Sequence, residues 1–284
     1  MKLQYFGTAA AEGIPSIFCN CPVCQEAREK KGKHIRTRSQ AMVDDKILID
    51  LNADTYLHSI AYDKNLSKLK NVIITHIHSD HYYPAELLNR RVGYSSFLEE
   101  ETLTIHGSSD LVKRAEEEWE LCTGKRNQLI EQNRVAFNIL QPYKSVEIEG
   151  VTVTPLPASH GTQNPLVYIL SCEGKTMLYF HDSGYLKPEV MQFLREKEIK
   201  FDLVSYDCTW GKDDAHGAVS HHLGLPNVVE ARRRFIENGN YKENTISAIN
   251  HFSHNIKNVG YDDMLSLATG NGFELSYDGM IIDF

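Results

Sequence analysis

The 284-residue chain is expected to fold as an α/β (α+β) protein, with two mixed sheets packed face to face and helices on the outside. Three observations predict this. Short strand-like runs cluster in both halves of the chain, and helical patterns follow each cluster. The length allows a large core, and no internal repeat points to a solenoid. Apolar residues make up 42% and charged residues 24%, which argues against a mainly disordered chain.

Residues 2–6 alternate and open the chain as a strand. Residues 40–50 read as a hairpin that turns at Asp44-Asp45, with 46–50 (KILID) as its buried arm. Residues 71–75 (NVIIT) form a short β-branched run that ends abruptly in histidines. Later strands are expected over 151–156, 166–170, 176–180, 201–206, 245–250 and 273–277. The turn Cys172-Glu173-Gly174-Lys175 pairs two of them antiparallel. Helical periodicity is clearest over 111–121, 188–197 and 226–238, with Pro188 and Pro226 near helix starts, where a missing N–H matters little. The stretch 82–144 fits least well: it is polar, carries a charged helix over 113–120, and has no clear assignment to the sheet core. No Gly/Ser linker or low-complexity tract separates domains, so residues 1–284 are expected as one domain.

The net charge of −8 argues against general affinity for duplex nucleic acid, which needs a basic face. A small basic pocket for one phosphate remains compatible with it. No apolar run reaches membrane-spanning length and no signal peptide opens the chain, so the expectation is a cytoplasmic protein without a membrane partner. Of six cysteines, three crowd into Cys19, Cys21 and Cys24. A disulfide framework is rarely so uneven, and three thiols within six residues look like metal ligands awaiting a fourth.

The strongest signal is His76-Ile77-His78-Ser79-Asp80-His81, an H-x-H-x-D-H pattern directly after the 71–75 run. Neutral imidazoles and a carboxylate suit zinc, manganese or iron, and a tight loop at a strand end can aim them at one point. A polar loop capping the following helix is the plainer alternative, and four ligand types within six residues weigh against it. His160, Asp182 and His251 each follow a predicted strand. Alone, each reads as a capping or solvent-facing polar residue; together they share the C-terminal ends of strands with the cluster, and a metal pair needs that convergence.

This order of ligands resembles the metallo-β-lactamase superfamily of binuclear hydrolases, whose fold is a four-layer αββα sandwich. Within it, the chain looks most like the cyclic phosphodiesterases of phosphonate breakdown. The resembling segments run from Gly7-Thr8-Ala9 and Ala11-Glu12-Gly13-Ile14-Pro15 through Asp182-Ser183-Gly184 and Tyr206-Asp207-Cys208 to residues 273–280. The resemblance implies that His76, His78 and His160 hold one divalent metal ion and Asp80, His81 and His251 another, with Asp182 bridging them. Two such ions, manganese or zinc, would activate a shared water and clamp charge on a phosphoryl centre. Asp80, His222 and Asp207 are the implied catalytic residues, with Asp207 orienting a metal-bound imidazole and His222 donating a proton to the leaving group. Its neighbour His221 stays open for that role, although the alignment of Leu225 and Val228 favours His222. The family often has a histidine shortly after the aspartate at 207; here Trp210 stands there. The resemblance also completes the thiol cluster with His254, so Cys19, Cys21, Cys24 and His254 would hold a structural zinc. Segment 82–144 would wall the substrate pocket.

The implied substrates are small phosphodiesters, such as a phosphoribosyl 1,2-cyclic phosphate or a 2′,3′-cyclic nucleotide. Transfer-RNA 3′-end processing is a related alternative, weakened by the acidic composition and by the lack of a Gly/Pro-rich basic arm. A second alternative is a non-catalytic metal-binding protein of redox-cofactor biosynthesis. Relatives of that kind carry a similar thiol site but a degraded ligand set, whereas the set here is intact. A homodimer is compatible with either reading.

Overall fold

The computed structural model describes residues 1–216, 221–255 and 259–284. Strands β1 (Lys2–Gly7), β2 (Gln40–Val43), β3 (Ile47–Ile49), β4 (Asn71–Ile73), β5 (Leu103–Gly107) and β6 (Val135–Ile139) lie side by side in chain order in one sheet. Strands β7 (Val146–Ile148), β8 (Val151–Pro157), β9 (Leu166–Cys172), β10 (Lys175–Phe180), β11 (Phe201–Asp207), β12 (Tyr241–Asn250) and β13 (Glu274–Leu275) form the other, again in chain order. The last strand, β14 (Ile281–Asp283), returns to the first sheet beside β1. Each sheet is half antiparallel and half parallel. The parallel parts, β3–β6 and β10–β13, send their loops to the same kind of edge, the C-terminal ends of the strands.

Period-two alternation explains the layering. In β10, Met177 and Tyr179 enter the core between the sheets, while Leu178 and Phe180 face the helices. In β3, Ile47 and Ile49 point to the inter-sheet core and Leu48 to the outer face. Burial on both faces is why these strands read as continuous apolar runs. Helices α1 (Pro22–Lys30), α2 (Thr55–Ala61), α3 (Asp110–Thr123), α4 (Gln128–Glu131), α5 (Pro188–Glu196), α6 (Leu225–Glu237) and α7 (Tyr261–Gly270) complete the layers. Val190 and Leu194 of α5, Val228 and Phe235 of α6 and Met264 of α7 pack on the second sheet; Leu111, Ala115 and Trp119 of α3 pack on the first. The result is the expected four-layer sandwich.

The hairpin turns form where expected. Asp44 and Asp45, and Glu173 with Gly174, adopt positive φ, the primed-turn geometry that matches strand twist. The stretch 82–144 departs from its expectation. It supplies two parallel strands, β5 and β6, and its charged helix is α3, held to the sheet by a stripe at spacing four: Leu111, Ala115 and Trp119. The stripe is narrow and β6 is an edge strand with exposed Asn138 and Ile139, so polar residues outnumber the core-facing ones.

Candidate metal centre

Thr75 is the second residue after β4, and its amide and hydroxyl both donate to Asp50 Oδ1, at 2.8 and 3.0 Å. Asp50, at the end of β3, accepts from His81 Nδ1 through its other oxygen at 2.7 Å. That bond turns His81 Nε2 inward, where it lies 3.2 Å from Asp182 Oδ2, 3.3 Å from Asp80 Oδ2 and 3.3 Å from His251 Nε2. His251 is fixed in the same way: its Nδ1 donates to Thr209 Oγ1 at 2.8 Å, and Thr209 in turn donates to Asp207 Oδ2. His160 Nδ1 donates to the His221 carbonyl at 3.3 Å, which leaves its Nε2 3.1 Å from His78 Nδ1. Each of these three imidazoles has its outer nitrogen satisfied and its inner nitrogen aimed at a common space, the arrangement that orients metal-ligating histidines.

Asp182 Oδ2 sits at the middle. It is 3.0 Å from His76 Nε2 and 3.4 Å from His160 Nε2, besides its approach to His81. Three four-residue sets result, each with ligand atoms within 4.8 Å of one another: His76, His78, His160 and Asp182; Asp80, His81, Asp182 and His251; and Asp182, Asp207, His222 and His251. Asp182 belongs to all three; the first two are the sets the ligand order implies, and the third overlaps the second at Asp182 and His251. Asp50, Asp182 and His251 all adopt left-handed backbone, with φ of 67°, 50° and 65°. Such strain at three strand ends is characteristic of functional sites.

The electrostatics suit cations. Asp50, Asp80, Asp182 and Asp207 are all buried, and the described residues bring imidazoles, not lysine or arginine, within ion-pair distance of them. Asp182 Oδ1 is buried without a well-formed hydrogen bond, although His222 Nδ1 lies 3.0 Å away. Burial, then the nearby His81, pushes His76 down to about 3, which keeps it a neutral ligand. Burial disfavours charge on His81, yet Asp80 and Asp50 beside it outweigh that and hold it well above its ordinary value. Positive charge is thus strongly favoured where the second set converges. Nitrogen and oxygen donors in this number fit two divalent ions.

His222 and His221 part company. His222 is half-buried, its Nδ1 facing Asp182 and Asp207 at 3.0 and 3.4 Å. Burial opposes its charge, but hydrogen bonds to Asp182 and Asp207 prevail and push it up to about 10. His221 is exposed and offers its carbonyl to His160. Asp207 is a hub: its oxygens accept from the amides of Asp182, Thr209 and Leu223 and from the Thr209 hydroxyl. Burial opposes its charge; hydrogen bonds to His222 and His251 hold it below the usual carboxylate range.

The thiols gather separately. Cys21 precedes α1, and its Sγ lies 3.6 Å from His254 Nδ1; the ligand atoms of Cys19, Cys21, Cys24 and His254 all fall within 4.8 Å. Burial pushes the Cys24 thiol up to about 12, while the Cys21 amide, donating to Cys19 at 3.4 Å, holds that thiol down. Three sulfurs and one imidazole nitrogen are the donor set of closed tetrahedral zinc.

A cavity of about 330 Å³ opens over the histidines, floored by His78, Asp80, Asp182 and His251 and rimmed by Ala10, Glu12 and Trp210. An adjoining cavity of about 600 Å³ shares His160 and is lined from segment 82–144 by Ser108, Ser109, Ile139, Leu140 and Pro142. Sequence reasoning missed Asp50 and Thr209, which orient His81 and His251. Their one signal is position: Asp50 closes the KILID run, and Thr209 stands two residues after Asp207.

A family model described as the β-lactamase superfamily domain matches residues 46–237. Among solved structures, the chain is similar to a diphosphatase of the PhnP family (18% identity, TM-score 0.71, covering 100% of this chain and 96% of that one). It is also similar to zinc-bound PqqB from Methylobacterium extorquens (15%, TM-score 0.74, 100% of both chains) and to the short form of human tRNase Z (17%, TM-score 0.63, 100% and 99%). No curated protein matches the chain. At these identities the likeness speaks for the fold; together with the family match, it shows that the chain belongs to the metallo-β-lactamase superfamily of metal-dependent hydrolases, with a likeness that extends to the PhnP family.

Proposed function

We propose that this protein is a dinuclear metal-dependent phosphodiesterase acting on small phosphodiesters, cyclic ones included. The observation that carries the reading is Asp182 Oδ2, which lies 3.0–3.4 Å from ligand nitrogens of His76, His81 and His160 and so belongs to two complete ligand sets. Manganese or zinc ions held there supply an activated water and neutralise charge on a phosphoryl group. The protein's own part is orientation and proton delivery. Asp50 and Thr209 hold His81 and His251 in the ligating tautomer. Asp182 and Asp207 engage His222 Nδ1 and favour its charged form, which leaves Nε2 to protonate a leaving alkoxide. Cys19, Cys21, Cys24 and His254 hold one structural zinc. The likeness to a PhnP-family diphosphatase supports phosphorus chemistry over lactam or thioester hydrolysis, and the net charge of −8 supports a small substrate over folded RNA.

The test is a substrate screen of manganese- and zinc-loaded protein against bis-p-nitrophenyl phosphate, cyclic nucleotides, thioesters and lactams, with metal content measured alongside. The expected result is diester hydrolysis with three metal ions per chain. Hydrolysis confined to thioesters or lactams, or a single zinc with no hydrolysis, would overturn the reading.

A further inference from the structure

Trp210 stands in the turn that follows β11, and the turn is built to hold it still. Its amide donates to the Leu223 carbonyl at 3.0 Å and its carbonyl accepts from Asp213 at 3.0 Å. Gly224 lies against this turn so closely that a Cβ there would come within 1.8 Å of the Asp213 carbonyl oxygen and 3.1 Å of Trp210 Cβ. Only a glycine permits that approach. Trp210 is nevertheless 42% exposed, and among the described residues its indole Nε1 makes no hydrogen bond. The chain's other tryptophan, Trp119, is fully buried and donates to the Pro84 carbonyl.

The exposed indole lines the same cavity as Asp182, His222 and His251. It is one residue from Thr209, which fixes His251. Glu12 lines the cavity too, and its Oε1 accepts from Ser253 Oγ and Asn255 Nδ2, which steadies a carboxylate able to accept from a hydroxyl. A flat apolar face carried on a fixed backbone beside a phosphoryl site, with a fixed acceptor nearby, is the chemistry that recognises a planar ring joined to a hydroxylated sugar. A cavity of this size suits such a group.

We propose that Trp210 is a specificity-determining residue whose indole stacks on a planar aromatic ring, a nucleobase in chemical class, carried by the phosphodiester. This rests on the phosphodiesterase reading above. The test uses the metal-loaded protein with adenosine 3′-monophosphate as the probe and glycerol 2-phosphate as its base-free counterpart. Adenosine 3′-monophosphate should quench tryptophan fluorescence, because Trp119 is shielded and Trp210 is not. The quench should disappear in Trp210→Phe, while affinity measured by calorimetry persists, since phenylalanine still stacks. Trp210→Ala should weaken the nucleotide by roughly 5- to 100-fold and leave both glycerol 2-phosphate affinity and the circular dichroism spectrum unchanged. Equal affinity of Trp210→Ala and the parent for the nucleotide, or equal loss of both ligands, overturns the Trp210 assignment alone. Hydrolysis of no phosphodiester at all overturns the underlying reading and the assignment with it.

Discussion

Asp182 meets two demands at once: a left-handed backbone at the end of β10 and one oxygen aimed at both ligand sets. Asp182→Ala removes the carboxylate common to both, so two cations placed there would repel each other without it. The expected outcome is loss of at least one catalytic metal by elemental analysis and near-complete loss of diester hydrolysis; both metals retained with parental turnover would refute the shared-ligand role. His222 makes a different kind of prediction, because its nitrogen faces carboxylates at 3.0 and 3.4 Å and stands outside the two ligand sets built on His76 and His81. His222→Ala should keep both metals and slow hydrolysis by roughly 10²–10⁴-fold when the leaving group is a poor alkoxide. Slowing should be much smaller for p-nitrophenolate, which departs without a proton. His221→Ala, at an exposed ring, should show neither effect. Equal slowing of both substrates in the His222 variant would point to a folding defect instead.

At the scale of elements, the thiol loop joins the start of α1 to His254 in the segment that follows β12, three residues after His251 leaves for the metal centre. Cys21→Ser should release one tightly held zinc and lower the melting temperature, because a closed structural site contributes folding free energy. Activity should fall only as far as the 251–254 loop loosens, and an unchanged zinc count and melting curve would show that the thiols bind nothing. The elements differ in how plainly the sequence displays them. Strands such as β3, β10 and β11 were legible because both faces are buried, which leaves an apolar run with little to confuse it. The histidines were legible because the H-x-H-x-D-H spacing has few other uses. By contrast, β5 and β6 hide in a polar stretch, since Thr104 and His106 interrupt the apolar run of β5 and β6 is an edge strand. Asp50 and Thr209 were illegible as functional residues: a single aspartate or threonine after a strand looks like any turn residue until its partner across the fold is known.

Over the whole molecule, buried neutral histidines add to the response to acid. His106 bridges parallel strands, with Nε2 donating to Asn71 Oδ1 at 2.8 Å and Nδ1 accepting from Asn138 at 3.0 Å. Burial pushes it down to about 4. A depressed histidine binds fewer protons folded than unfolded below pH 6.5, so its stabilising effect is lost as pH falls from about 6.5 toward 4. His106→Gln should therefore flatten the stability-versus-pH curve across that window by on the order of 3 kcal/mol, measured by urea unfolding; an unchanged slope would show that His106 charges freely in the fold. His58 and Asp278, joined through Thr37 Oγ1 at 2.7 and 2.6 Å, should add little. Burial pushes His58 down to about 4 and Asp278 up to about 6. The first loses stability as pH falls from about 6.5 and the second as pH rises through about 6, so their slopes oppose each other between pH 4 and 6.

The ligands themselves come from both sheets: His76, His78, Asp80 and His81 from the first, His160, Asp182 and His251 from the second. Metal ions held among them are a clasp on one end of the seam between the sheets, with the antiparallel strands acting as the hinge side. Chelation should then unfasten that end first. Amide hydrogen exchange should quicken at the C-terminal ends of β4, β8, β10 and β12, while β7, β1 and β14 keep their protection; uniform quickening would mean that the seam opens as one. A chain in which the halves have not yet docked has no complete ligand set, so metal capture reports that the seam has closed, and an enzyme of this design acquires its chemistry only in the act of finishing its fold.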